Sequence, residues 1–312
     1  MGKQPKSDPA RSGHTGAPQP QLSDLLRVPP GVLDLGSFDT RGTPGYPGSG
    51  KSDAPTVTEA LAPQLADLQE RLYAEAKGTL PPEATDAPGT GHAQGVRSVL
   101  VILQGMDTAG KGGVIRHAIG MVDPQGVRIA SFKSPTKTEL SHSFLWRIRR
   151  ELPAPGQIGI FDRSHYEDVL VVRVNSLVPT DTWSGRYETI NEFETRLVAG
   201  GTSVIKCFLH ISADEQKDRL AERLDRPDKI WKYNPGDVVE RAKWPAYVEA
   251  YTEALTRCNT DAAPWHIVPS GRKWYRNWAV AQLLWEHLER LDPQWPKANV
   301  DVAVEKQRLA AT

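Results

Sequence analysis

The sequence predicts an α/β domain, a parallel sheet with helices on both faces. Three observations carry this reading. Apolar runs of strand length recur from VLVIL (Val99 to Leu103) to WHIVP (Trp265 to Pro269), separated by segments of helical length. The first run is apolar without alternation, as expected of a strand covered on both faces. That run leads straight into a glycine-rich turn, GMDTAGKGG, which opens a helix.

The elements follow in order. Residues 1–21 are rich in Pro, Gly, Ser and charge and read as a disordered tail. Residues 22–95 read as an N-terminal arm, a helix and a linker. The helix rests on Leu61, Leu65, Leu68 and Leu72 at helical spacing, with Pro63 in the first turn. Residues 96–291 form the α/β domain. After VLVIL comes a helix over 113–122, the strand GVRIASF over 126–132, a helix over 137–152, the strand IGIF over 158–161 and a helix from about 165. A further helix covers 182–199, the strand SVIKCFLHI covers 203–211, and a helix covers 213–224. One long helix over 237–258, the strand WHIVP and a helix over 272–291 close the domain, leaving residues 292–312 as a C-terminal tail.

Composition bounds the partners. The 38 basic and 38 acidic residues among 312 cancel, so no global field attracts a polyanion and any anion site must be built from local cations. This argues against nucleic acid as the partner. No run approaches the length of a membrane span, and the N-terminus lacks the apolar core of a secretory signal. The two cysteines, Cys207 and Cys258, show no metal or redox spacing, which suits a cytoplasmic setting.

Two stretches compete as a phosphate loop. GYPGSGKS (Gly45 to Ser52) fits G-x-x-x-x-G-K-[ST] in full, yet no strand-like run precedes it and Pro47 removes an amide donor. It reads as a flexible Gly/Ser linker, with Pro55 interrupting any helix after it. GMDTAGKGG fits except after the lysine, and it has the strand and the helix that the geometry requires. Gly105, Gly110, Gly112 and Gly113 let backbone approach phosphate oxygens, and Lys111 is placed to reach them.

Gly112 stands where a Ser or Thr ordinarily supplies a hydroxyl to Mg²⁺, so metal ligands must come from elsewhere. Asp107 in the loop and Asp162 after IGIF are carboxylates at strand ends and suggest Mg²⁺ held between them and substrate phosphates. Lys133 and Arg163 are strand-end cations, and Arg173 lies further along. Arg147, Arg149 and Arg150 crowd one helix, the last two reading as a solvated face. The stretch from Arg219 to Asp237 reads as a lid, carrying Arg223, Arg226, Lys229 and Lys232 around Trp231 and Tyr233. His117, His142 and His165 read as structural or surface residues, and Trp274, Trp278 and Trp285 as core or subunit contacts.

Four stretches in order, GMDTAGKGG, FDRSHYEDVLVVRV, DKIWKYNPGDVVERAKW and APWHIVPSGRKWYRNWAVAQLL, resemble the polyphosphate kinase type 2 family over about residues 22–291. The resemblance implies a thymidylate-kinase-like P-loop fold with a helical lid over about 223–245. It implies Mg²⁺-dependent phosphoryl transfer, with Mn²⁺ as a substitute, between inorganic polyphosphate and a purine nucleotide, AMP or ADP. Lys111, Asp107, Asp162 and Arg163 match the family's catalytic positions, the two aspartates also as metal-associated groups, and Arg223 matches a phosphate-contacting arginine. Lys133, Arg173, Lys229 and Lys232 join the expected phosphate path, and Glu167 and Trp231 are candidate nucleotide contacts. His165-Tyr166-Glu167 stands where many members carry Trp-Tyr-Asn, a likeness to the branch that accepts both AMP and ADP. A homodimer or homotetramer is the implied assembly. An ATP-dependent nucleoside monophosphate kinase and a non-catalytic polyanion-binding module are the rival readings.

Overall fold

The computed structural model describes residues 20–79 and 97–312. Residues 1–19 and the expected linker beyond residue 79 lie outside the described residues. Five strands form one sheet: β1 (Ser98–Gln104), β2 (Val127–Ser131), β3 (Ile158–Asp162), β4 (Thr202–His210) and β5 (Trp265–Pro269). The order is β2-β3-β1-β4-β5 and every pairing is parallel. All seven residues of β1, the central strand, are buried, as its unbroken apolar run requires. The register sets Leu103 beside Asp162 and Cys207, so the chain leaves β1 and β3 at one carboxyl rim. Ligands of open parallel sheets bind at such a rim.

Several helices expected to be continuous are broken, including those over 113–122 and from about 165. Residues 137–152 divide into Lys137–Leu140 and Leu145–Arg150, the first closed by a Thr136/Glu139 capping box. The segment before β4 divides into Thr180–Ser184 and Arg186–Ala199. The expected helix over 237–258 is two, Pro235–Arg241 and Trp244–Arg257. The cause of the last break is local, because Pro245 lacks an N–H and can only begin the second helix.

The N-terminal arm packs on the domain. Leu22 N–H and Ser23 N–H donate to the buried Glu286 carboxylate at 2.8 and 2.9 Å, tying helix Leu22–Leu26 to the C-terminal helix Lys273–Leu291. Arg27 adds an antiparallel bridge to His266 at the β5 edge, and Val28 N–H donates to Trp265 O at 2.8 Å. The segment GYPGSGKS is not the flexible linker expected. Tyr46 packs edge-on against Trp274 and Trp278, and its hydroxyl donates to Asp53 at 2.6 Å. Ser49 N–H and Gly50 N–H donate to the same carboxylate. These bonds hold the Asp53 carboxyl far below the usual range. The loop's amides thus bind an internal carboxylate where a phosphate would sit. Pro55 does not interrupt the following helix but starts it, at Ala54–Glu59.

His266 is buried with His287 beside it and its Nδ1 near Lys206 O at 3.2 Å. Burial, followed by the neighbouring His287, lowers the His266 pKa to about 3. Burial lowers His287 too. The unfolded chain therefore binds more protons as pH falls below the ordinary histidine value. The stability held by a neutral His266 is complete above about pH 6.5 and is lost as pH falls towards about 3. The expected slope is at most about 1.4 kcal/mol per pH unit for each histidine. Urea unfolding of wild type and His266→Gln between pH 7 and 5 checks this, with a flatter profile expected for the variant.

Candidate active site

The phosphate loop is built by chain reversal at the end of β1. Gly105 turns at φ +152°, and a side chain there would meet Leu209 O at 2.7 Å. Gly110, at φ +110°, caps helix Lys111–His117. The first N–H groups of this helix have no intrahelical acceptor and face outward from its start. Lys111 folds back over the loop and donates to Gly105 O at 3.0 Å. Its side chain is 9% exposed. Burial, then Arg163, lowers its pKa, while Asp107, Asp162 and Glu167 oppose the shift. The ammonium thus shares one electrostatic neighbourhood with all four of these groups.

Arg163 joins the parts. It directly follows β3 and adopts φ +66°, a left-handed backbone unusual for a residue with a side chain. Its N–H donates to Leu103 O at 3.0 Å, fixing the turn to β1. Its guanidinium donates to Asp107 Oδ1 at 2.9 Å and Glu167 Oε2 at 3.1 Å. Burial alone would lower the Arg163 pKa, but Glu167 and Asp107 raise it well above the usual value. Burial raises the Glu167 carboxyl against the pull of Arg163 and Lys111. The Gln104 amide, with nitrogen toward Glu167 Oε1 at 3.1 Å and oxygen toward Ser164 N–H at 3.0 Å, holds that carboxylate from behind.

Beneath the Ser164–Asp168 turn lies a fully buried polar network. Lys206 Nζ donates to Glu194 Oε2 (2.6 Å), Tyr166 Oη (2.9 Å) and Cys258 O (2.6 Å). Tyr166 Oη donates to Glu194 Oε1 at 2.8 Å, and His165 Nε2 lies 3.1 Å from the same oxygen. Burial would raise the Glu194 pKa, but Lys206 and His165 bring it down. His165 is structural, as expected from the sequence. The signal for the network was a lysine inside the apolar strand SVIKCFLHI.

A small cleft, with a cavity volume of about 40 Å³ and open at its mouth, lies beside Asp107, Arg163 and Glu167. Met106, Leu170, Val171, Trp244, Tyr247 and Tyr251 supply its apolar wall. Trp231, the aromatic residue expected to contact nucleotide, is absent from that wall. It is 74% exposed and its indole N–H donates to Asp228 O at 3.0 Å. The other lid cations are engaged with the lid itself. Arg223 donates to Asp237 at 3.2 Å, Lys229 to Glu222 at 2.9 Å, and Lys232 lies over the Trp231 ring. Asp237 stands near the site, its pKa raised by burial and then by Asp107.

Two further expected phosphate contacts, Arg173 and Lys133, have these surroundings. The Arg173 guanidinium is held by Glu249 at 2.5 Å and by Glu253, and stacked over Trp183. Its charge is spent on packing helix Trp244–Arg257, whose two acids lie one turn apart. Lys133 is exposed at the end of β2, and its backbone oxygen accepts from Arg147 at 2.7 Å. Arg149 and Arg150 are exposed, as expected of a solvated face, with their guanidinium groups over Phe193 and Trp146.

The sequence reading missed Arg219 and Arg276. Arg219 donates to the loop carbonyls of Thr108 (2.9 Å) and Ala109 (3.2 Å), and Arg276 donates to Ala109 O at 3.1 Å. Gly112 is the loop glycine beside which a side chain would meet only open space.

The donor set fits Mg²⁺. The Asp162 carboxylate accepts no hydrogen bond among the described residues, and the Asp107 carboxylate has only Oδ1 engaged, by Arg163. No group of three or more His, Cys, Asp or Glu side chains suited to a metal occurs among the described residues. Mg²⁺ is commonly bound by one or two carboxylates together with water and substrate phosphates, so two available aspartates beside a phosphate loop suffice.

Comparison with known proteins matches the sequence model of the family described as Polyphosphate kinase 2 (PPK2) to residues 90–296. The chain is similar to an AMP/ADP-polyphosphate phosphotransferase of Meiothermus ruber, 45% identical over 86% of this chain and 93% of that protein. It is similar to an ADP-polyphosphate phosphotransferase of Rhodopseudomonas palustris, 38% identical over 86% and 89% of the two chains. The crystal structure of Polyphosphate Kinase 2 from Arthrobacter aurescens TC1 superposes with a TM-score of 0.86 at 45% identity, covering 94% of this chain and 98% of that one.

Proposed function

Since this chain belongs to the polyphosphate kinase 2 family, we infer that it transfers phosphoryl groups between inorganic polyphosphate and nucleotides, with both AMP and ADP as acceptors. The single observation that carries the reading is the set of Lys111, Asp107, Asp162, Arg163 and Glu167, electrostatically coupled at the carboxyl rim. The acceptor range draws on the Meiothermus ruber relative, whose name includes both nucleotides. The cytoplasm, where nucleotides are held, is the setting that suits this activity.

In the synthetic direction a nucleotide phosphate oxygen attacks the terminal phosphorus of polyphosphate. The new P–O bond forms as the phosphoanhydride bond breaks, and the shortened chain departs with the bridging oxygen's electron pair. The attacking oxygen is already ionised, so no general base is needed, which agrees with His165 lying in a structural network. Catalysis then rests on alignment and charge. Lys111 and the loop amides hold phosphate oxygens, and Arg163 offers a cation fixed on both sides by Asp107 and Glu167. The apolar wall of Trp244, Tyr247 and Tyr251 excludes water and can pack a base. Asp107 and Asp162 would hold Mg²⁺, which draws charge from phosphate oxygens when bound.

The test supplies the full chain with polyphosphate and Mg²⁺, and with AMP, ADP, GMP and GDP in turn. ADP from AMP and ATP from ADP are expected. Product from ADP alone narrows the acceptor range. Turnover with ATP and AMP, but none with polyphosphate, overturns the reading.

A further inference from the structure

Arg219 and Arg276 both donate to carbonyls of the phosphate loop. The Ala109 carbonyl accepts from Arg276 Nη1 (3.1 Å) and Arg219 Nη1 (3.2 Å). Arg219 Nη2 continues to Ser270 O at 2.5 Å and Gly271 O at 3.3 Å, joining the loop to the turn after β5. In a planar trans peptide C=O and N–H point in opposite directions. Holding the Ala109 C=O from behind therefore turns the Gly110 N–H to the front, alongside the first amides of helix Lys111–His117.

Two glycines are shaped around this contact. A side chain at Gly110 would overlap Arg276 Nη1, and one at Gly113 would lie 2.5 Å from Nη2. Their small size makes room for a guanidinium rather than only for phosphate. Arg276 is 4% exposed, and its remaining bonds go to the neutral Asn277 side chain. No carboxylate lies within ion-pair distance of either arginine among the described residues. The geometry points to Arg276, braced by Arg219, as a positioning residue for phosphoryl transfer, aiming the Gly110 amide at phosphate and adding the positive potential of a guanidinium that makes no ion pair. Burial, then Arg219, lowers the Arg276 pKa to about 10, the mark of a crowded and uncompensated cation. A phosphate chain bound in front relieves that crowding, so substrate binding is coupled to the stability of the loop. This rests on the polyphosphate reading above.

The test compares wild type, Arg276→Met, Arg276→Lys and Gly113→Ala in the full chain, by steady-state kinetics and by thermal unfolding with and without inorganic tripolyphosphate. Wild-type inactivity with polyphosphate defeats the functional reading, whereas an active wild type lets the variants judge this proposal. Arg276→Met is expected to lower kcat on the order of 10-fold to 100-fold. Its tripolyphosphate-induced rise in Tm is expected to shrink, and Arg276→Lys to recover part of both. Gly113→Ala favours the helix but displaces the guanidinium, so it is expected to lower kcat in wild type and to add no further loss in the Arg276→Met background. A plain structural brace would lower the ligand-free Tm and leave the ligand-induced shift intact. Wild-type kcat, or a full tripolyphosphate shift, in folded Arg276→Met overturns the proposal. Should that variant not fold, unchanged kcat in Gly113→Ala overturns it.

Discussion

Replacing Lys111 by alanine is expected to reduce polyphosphate-dependent turnover by on the order of 10³-fold while leaving the protein folded. The size follows from the environment. The ammonium is nearly buried, donates to Gly105 O at 3.0 Å, and is held in its charged form against burial by Asp107, Asp162 and Glu167. A cation in such a partly desolvated site acts on developing phosphate charge far more strongly than one in water. The fold has little to lose, because burial and Arg163 already disfavour the charged form and alanine favours the first helical turn. Circular dichroism and Tm establish folding, and kcat/KM with polyphosphate and ADP gives the loss. Wild-type turnover in Lys111→Ala would falsify the assignment of this loop as the phosphate cradle.

Asp162→Asn is the second large effect. Asparagine keeps shape and removes charge. The Asp162 carboxylate accepts no hydrogen bond among the described residues, and the residue's backbone carbonyl remains bound to Phe132 N–H at 3.0 Å. Stability is therefore expected to change by less than about 0.5 kcal/mol. Turnover is expected to fall by on the order of 10²-fold or more, and the Mg²⁺ concentration for half-maximal rate to rise. Asp107→Asn differs in an instructive way, because it also removes the negative charge paired with Arg163 at 2.9 Å and so should cost stability as well as rate. A Mg²⁺ titration of Asp162→Asn that overlays wild type would remove Asp162 from the metal site.

How far the site was legible depends on which atoms form each contact. Lys111 and Asp162 were readable because a strand, a turn and a helix fix where the next residue points. Arg276 was not, because its partner is the carbonyl of Ala109, 167 positions away, and no side-chain pattern marks a carbonyl. The acids that pair with Arg173 were hidden for the converse reason. Its charge is plain in the sequence, but Glu249 and Glu253, which occupy it, arrive from a helix far along the chain. The broken helix before Trp244 was within reach, since Pro245 announces a helix start. The order inside GYPGSGKS was not, because it depends on Trp274 and Trp278 arriving to pack Tyr46.

Local covalent chemistry and apolar periodicity determined, from sequence alone, five parallel strands, the phosphate turn after the first and an acid after the third. These follow from backbone sterics and burial, which act between near neighbours. Only the tertiary structure decided which acids and carbonyls each cation meets. Charge neutralisation depends on distance in space, and chain order does not encode that distance.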